Sequence, residues 1–291
     1  MSMEWQPLRG STGVFHTHFA LIPACRCPDG RAVLIDSGSV AHPELAEALD
    51  REGLGVAAVI CTHLHPDHIA NNRLLIDRWG AEIWADAAEI RAVGPRFEML
   101  RGDPLEKKWL WTEPDYPIRP IPPGTEALTL AGAEFRLLPT PGHVEGHLAV
   151  VTPDAVCCLG DAIISASVLA GSSLPYMEYD VDLAVESMAG IRDMDYPCYV
   201  AAHREVIAPE DLGPLVDANI RKELRLYDLL RRIITAPTPM EEAVTAFMRA
   251  AGVEREIMLS RSSMRGSAAI RFTALERAGE LSIRDGIVYP V

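Results

Sequence analysis

Six consecutive residues constrain this chain more than any other stretch. From His63 to His68 the sequence reads His-Leu-His-Pro-Asp-His, which holds three of the chain's nine histidines and follows, after Thr62, on the apolar run Ala57–Cys61. A short apolar run closed by turn residues reads as a buried strand. The histidines then stand on the loop where that strand ends, a common position for groups held by a rigid scaffold. Imidazole and carboxylate donors suit zinc and, less well, iron or manganese. In an extended or tightly turned segment His63 and His65 can point the same way, while Asp67 and His68, beyond the Pro66 turn, can aim at a second point nearby. One loop could serve two metal ions.

This stretch resembles the His-x-His-x-Asp-His signature of the metallo-β-lactamase superfamily. Three later motifs follow in that family's order: Thr140-Pro141-Gly142-His143, Leu159-Gly160-Asp161 and Ala201-Ala202-His203. The resemblance covers residues 10 to 213 and implies an α/β fold, a four-layer αββα sandwich. It also implies a ligand set: His63, His65 and His143 around one metal, Asp67, His68 and His203 around the other, and Asp161 bridging. Two Zn²⁺ per chain are expected, with iron or manganese as the alternative. The last motif departs from the family, because many relatives have Pro-Gly-His-Gly where this chain has Ala-Ala-His-Arg, which alters the rim beside His203. By the same resemblance Asp36 props the metal loop from behind, and His147 supports the site without binding metal. His16 and His18 read as structural or rim histidines.

Hydrophobic and turn patterns place these motifs. Val14–Ile22 and Arg31–Ile35 read as paired strands across Pro28-Asp29-Gly30. Pro43–Glu52, Ile69–Trp79 and Asp86–Val93 read as helices, the last stopped by Gly94, with a strand over Ala81–Ala85. Residues 95–124 hold seven prolines with Trp109 and Trp111 and show no period. Such an insertion reads as a lid over the site or as a surface excursion. Strands follow at Glu126–Leu130, Glu134–Leu138, Leu148–Val151, Ala155–Leu159 and Pro197–Ala201, with Ser165–Asp180 as loop and Val181–Met194 as helix. A catalytic domain over 1–213 is therefore expected, followed by a helical winged-helix-like module over 214–291. In that tail a long helix ends near Ala236, Thr238 caps a second, and Asp285-Gly286 closes a terminal hairpin.

Charge narrows the partners. Of the net −14, the first 213 residues carry 15 basic against 31 acidic side chains, and the tail carries 12 against 10. An acidic catalytic domain is a poor partner for nucleic acid, whose phosphates normally supply most of the affinity. Arg261, Arg265, Arg271 and Arg277 could grip RNA, but Glu254, Glu256, Glu276 and Glu280 lie among them. A structural or oligomerising role for the tail, or a wall of the substrate pocket, is favoured. Met1–Gly10 has no basic region followed by an apolar core, so no signal peptide is expected. No apolar run is long enough to span a bilayer. Six cysteines without a Cys-x-x-Cys pair read as small buried residues, which points to a reducing cytoplasmic setting.

The expected chemistry is hydrolysis of a small acyl compound (a thioester, a lactone or a related carbonyl) by a hydroxide held between the metals, with Asp67 orienting it and passing its proton on. Two alternatives stay open: a phosphodiesterase or endoribonuclease, and a non-hydrolytic iron enzyme resembling a sulfur dioxygenase.

Overall fold

The computed structural model of the chain describes residues 3–17, 19–39, 43–106 and 114–291. It begins with four antiparallel strands, β1 (Trp5–Arg9), β2 (Thr12–His16), β3 (Leu21–Arg26) and β4 (Ala32–Ile35). The helix α1 (Pro43–Arg51) then crosses to β5 (Val56–Ile60), which runs parallel to β4. After the single turn α2 (Pro66–Ile69) come α3 (Asn72–Trp79), β6 (Glu82–Asp86), α4 (Ala87–Gly102) and β7 (Arg119–Ile121). These seven strands form one sheet in chain order. The second sheet takes β8 (Ala127–Leu130), β9 (Ala133–Pro139), β10 (Leu148–Val151) and β11 (Val156–Gly160) as an antiparallel run. Two helices, α5 (Ala166–Gly171) and α6 (Val181–Arg192), lead to β12 (Cys198–Ala201), parallel to β11, and β13 (Glu205–Ile207) closes that edge. The tail is α7 (Pro209–Ile233), β14 (Thr238–Pro239), α8 (Met240–Ala250), α9 (Glu256–Ser260), α10 (Ser262–Arg277), β15 (Leu281–Arg284) and β16 (Ile287–Pro290), its strands joined in the order β14-β16-β15.

The layering follows from which strands are apolar on both faces. Every residue of β4, β5, β10 and β11 is buried, as strands covered on both sides must be. Val33, Ile35 and Ile60 meet Val150, Cys158 and Val200 between the sheets. Leu34 and Val59 face outward onto Leu45, Leu49 and Leu75 of α1 and α3. On the opposite outer face, Cys157, Leu159 and Tyr199 pack with Val181, Met188, Leu212 and Val216. The result is the expected four-layer αββα sandwich. That last cluster runs on without a break into Leu226, Leu230, Phe247 and Phe272, so the tail and the sandwich share a core. The boundary expected at 213/214 falls inside α7, which carries Pro214 in its second turn. Among the described residues, no helix is long and apolar enough to cross a membrane.

Several elements differ from their sequence reading. Val14–Ile22 is not one strand, because the Thr17 hydroxyl accepts from the amides of Phe19 and Ala20 and turns the chain between β2 and β3. Ile69–Trp79 is broken at Ala70–Asn71 into α2 and α3. The helix expected to stop at Gly94 continues through Pro95 to Gly102, where its far half is anchored by the buried Arg96, Phe97 and Leu100. Thr238 does not cap α8: it pairs with Val288 in the tail sheet, and Pro239 precedes the first helical residue. Asp285 and Gly286, both at positive φ, make the hairpin turn as read. His18, Trp109 and Trp111 lie outside the described residues.

Candidate metal centre

All seven expected ligands gather where the sandwich strands end. His63 and His65 follow β5, and Asp67 and His68 sit on α2, whose first position is Pro66. His143 follows β9, Asp161 follows β11 and His203 follows β12. The potential ligand atoms of His63, His65 and His143 lie within 4.8 Å of one another, as do those of Asp67, His68 and His203. A third such group joins His63, His68 and Asp161. Asp161 stands between the two triads. One carboxylate oxygen is 3.4 Å from His203 Nε2, and the other is 3.4 Å from His68 Nε2 and 3.7 Å from His143 Nε2. His203 Nε2 is also 3.5 Å from Asp67 Oδ2.

The ring nitrogens facing away from this cage are all engaged. His63 Nδ1 donates to the Thr62 hydroxyl (3.0 Å), which itself donates to Asp36 (2.8 Å). His68 Nδ1 donates to the same carboxylate at 2.9 Å. His143 Nδ1 donates to the Tyr176 carbonyl at 3.1 Å and His203 Nδ1 to the Phe19 carbonyl at 3.2 Å. His65 is turned the other way, its Nε2 donating to Glu178 at 2.7 Å while its Nδ1 faces inward. A neutral imidazole has one N–H, and in His63, His65 and His143 it points outward. The inward nitrogens are therefore lone-pair donors: His65 Nδ1 lies 2.9 Å from His63 Nε2 and 3.0 Å from His143 Nε2. Three converging lone pairs repel unless a cation stands among them. His68 Nε2 is buried with no hydrogen-bond partner. This donor set fits divalent metal, and the outer partners match those that fix metal-ligating histidines.

Electrostatics divide the cage in two. Burial, reinforced by neighbouring imidazoles, holds His63 well below the ordinary histidine range and lowers His143 to about 4. Burial also acts on His68, but Asp161, Asp36 and Asp67 together outweigh it and hold its pKa well above the usual value. Asp161 raises His203 to about 9. Without a cation His63 and His143 are thus neutral, and His68 and His203 carry protons that a metal must displace.

Two close approaches explain fixed glycines. Gly160 has φ +54, and a Cβ there would sit 2.7 Å from His147 Nε2 and 2.8 Å from the Thr62 hydroxyl. Gly142 has φ +134, and its Cβ would meet the Ala184 backbone at 2.3 Å. His147 supports the site as expected: its Nε2 accepts from the Asp161 amide (3.1 Å) and its Nδ1 donates to Thr140 (2.7 Å). Asp36 also accepts from the Thr62 amide at 2.7 Å from its place at φ +59. His16 bonds Gln6 on the surface, away from the cage.

The sequence reading missed a second layer. Glu178 is gripped by Arg96 at 2.8–2.9 Å. Arg96 also reaches the Leu64 carbonyl (3.4 Å), while Glu89 accepts from the Leu64 amide (3.1 Å), so the residue between His63 and His65 is clamped on both sides. Glu178 stands in a segment read only as loop, and Arg96 lies beyond the glycine read as a helix stop. The one available signal was an acidic residue among Tyr176, Met177 and Tyr179, just before the α6 cap.

A cavity of about 640 Å³ opens over the cage, and Val253, Met258, Arg261 and Met264 of the tail form one wall. The four tail arginines considered for nucleic acid are all in ion pairs: Arg261 with Glu106, Arg265 with Glu241, Arg271 with Glu223, and Arg277 with Asp180 and Asp182.

Comparison with known proteins gives concordant findings. Residues 25–203 match the family model described as the metallo-beta-lactamase superfamily. A hydroxyacylglutathione hydrolase of Xanthomonas euvesicatoria pv. vesicatoria (strain 85-10) is 33% identical over 147 residues, 50% of this chain and 46% of that protein. The chain thus spans about half the length of the first curated relatives it matches. A protein of the same name from Dechloromonas aromatica (strain RCB) is 26% identical over 264 residues, 87% of this chain and 88% of its own length. In fold, a metallo-beta-lactamase family protein from Thermus thermophilus superposes with a TM-score of 0.72 at 18% identity, over 94% of both chains. A beta-lactamase domain protein from Burkholderia ambifaria does so with a TM-score of 0.72 at 19% identity, over 99% of this chain and 93% of that one.

Proposed function

The chain belongs to the metallo-β-lactamase superfamily, and from that premise we propose that it is a dinuclear metal-dependent hydrolase of small acyl substrates, thioesters first among them. His63, His65 and His143 would hold one ion, Asp67, His68 and His203 the other, with Asp161 shared. Two Zn²⁺ are the assignment that five imidazoles and two carboxylates favour, with iron or manganese as the alternatives. Cations held there supply a lowered water pKa, to about 7, and polarisation of the carbonyl oxygen.

The chain's own residues do the rest. Asp67, 36% exposed and reaching the cavity, is the carboxylate that orients the attacking water and takes its proton. As the C–O bond forms and the C–S bond breaks, Asp67 returns that proton to the departing sulfur. Glu178 and the Tyr176 carbonyl hold His65 and His143 so that neither ring turns.

The observation that carries this reading is the outward pinning of the His63, His65 and His143 rings, which leaves three buried lone pairs converging beside the Asp161 carboxylate. The hydroxyacylglutathione hydrolase relatives support the thioester class. The pairing of Arg261, Arg265, Arg271 and Arg277 speaks against an RNA-cleaving role through them, which needs free cations for phosphate. Steady-state turnover of a thioester and lactone panel, with metal loaded and stripped, is the test. Metal-dependent turnover of at least one thioester is expected; none on any member would remove the proposal.

A further inference from the structure

Resting on the hydrolase reading above, we infer that the acyl group this site takes is an unfunctionalised hydrocarbon chain of medium length, lodged between α5 and the α9–α10 wall. Away from the cage the cavity is lined by Leu100, Ile164, Val168, Val253, Met258 and Met264, which come from four separate parts of the chain. Four of the polar groups among them are already committed. Arg96 is taken by Glu178 and Glu89, and Arg261 by Glu106. The Ser263 hydroxyl bonds Glu106, and the Ser173 hydroxyl bonds the Gly252 carbonyl. The remaining charges in the lining, Glu254 and Arg255, are opposite in sign, adjacent and exposed to solvent. A hydroxyl or charge on the acyl chain would lose its water and meet mainly groups already bonded elsewhere, a cost that apolar carbon does not carry.

Size agrees with this. The cavity, about 640 Å³, lies mid-range for small-molecule sites. At roughly 30 Å³ per non-hydrogen atom, the share of a liquid water, it holds on the order of twenty such atoms. That accommodates a thioester with a chain of about eight carbons and the attacking water. Met258 and Met264 are flexible enough to follow chains of different length.

The test is kcat/KM for the metal-loaded protein on N-acetylcysteamine thioesters that share one thiol: acetyl, butanoyl, hexanoyl, octanoyl and lactoyl. The expected result is a rise of about fourfold per added methylene, the equivalent of ~0.8 kcal/mol, levelling near octanoyl, with lactoyl below butanoyl. Val168→Trp should move the optimum to shorter chains. Binding to metal-stripped protein gives a readout apart from turnover: by calorimetry octanamide should bind at least a hundredfold tighter than acetamide, and Met258→Lys should erase most of that margin. Turnover that is flat or falls with chain length, or is greatest on lactoyl, overturns the inference and leaves the hydrolase reading standing. Equal binding of the two amides overturns it as well. Absence of metal-dependent turnover on every thioester overturns both.

Discussion

Replacing Arg271 by Met should be among the most damaging single substitutions outside the cage. Its guanidinium is fully buried and meets Glu223, 1% exposed, through two bonds of 2.9 and 2.7 Å. It also donates to the Ser267 carbonyl (2.7 Å) and the Pro175 carbonyl (2.9 Å). Removing one partner of such a pair leaves a buried charge uncompensated, which costs about 3–5 kcal/mol. Replacing both by apolar residues of similar volume is often close to neutral. The Arg271→Met variant should therefore lose about 3–5 kcal/mol in urea unfolding of metal-stripped protein. The Glu223→Leu/Arg271→Met double variant should recover most of that loss. Pro175 begins the segment that carries Tyr176 and Glu178 to His143 and His65, so the single variant should also surrender metal to a competing chelator about tenfold more readily. A loss under ~1 kcal/mol, or single effects that simply add, would refute the reasoning, because either means that the pair is not the buried unit described here.

Three further outcomes are expected. Glu178→Gln keeps the shape but turns an amide N–H₂ towards Arg96 and weakens the hold on His65, so metal affinity should fall about 10–100-fold with little change in the thermal midpoint of stripped protein; unchanged affinity in a chelator competition would count against its role. His65→Ala should abolish metal-dependent turnover while circular dichroism and the unfolding midpoint of the stripped protein stay near wild type, and retained turnover would remove the metal mechanism. Asp180 caps α6 through the Asp182 and Leu183 amides and pairs with Arg277; burial opposes its ionisation, but these partners outweigh it and hold the carboxyl below the usual range. A depressed carboxyl stabilises above its unfolded pKa and loses that contribution as pH falls through the folded value. Asp180→Ala should accordingly cost about 1 kcal/mol near neutral pH and flatten the decline of urea stability between about pH 5 and pH 2; an unaltered slope there would dismiss the pairing.

The expected ligand positions were legible because each is fixed by local grammar. An apolar run delivers a strand, a turn follows, and the donor stands at its end, as with Leu159-Gly160-Asp161. The layered sandwich was legible for the same reason, since a strand buried on both faces reads as a continuous apolar run. What escaped depends on contacts between distant residues. Nothing near Gly94 announces that α4 continues, because its far half is held by Arg96 reaching Glu178, 82 residues on. Thr238-Pro239 reads as a helix start until β16 arrives to pair with it. The split between β2 and β3 rests on a single hydroxyl, Thr17, which a period-of-two pattern does not register. Glu178 has no fixed spacing from His65, so only the folded chain brings them together.

The tail's arginines show why charge alone is a weak guide to partners. Basic side chains on a helical module invite a nucleic-acid reading, yet the guanidinium groups of Arg261, Arg271 and Arg277 serve as internal ties. Arg261 binds α10 to Glu106, and Arg277 binds α10 to the cap of α6. Arg271 joins α7 to the segment carrying Glu178, with the Ser267 hydroxyl donating to the Pro175 carbonyl and accepting from the Met177 amide beside it. Those ties meet where rigidity matters most. An imidazole that rotates exchanges its inward lone pair for an N–H, and a metal ligand becomes a competitor for the metal's place. Holding His65 and His143 at fixed rotation therefore requires that the 175–180 segment not move, and its backbone bonds, from the Glu178 amide to the His143 carbonyl (2.9 Å) and from the Asp180 amide to the Gly142 carbonyl (3.0 Å), hold it on one side. The tail supplies the missing support, and its small net charge follows from acids and bases that neutralise one another.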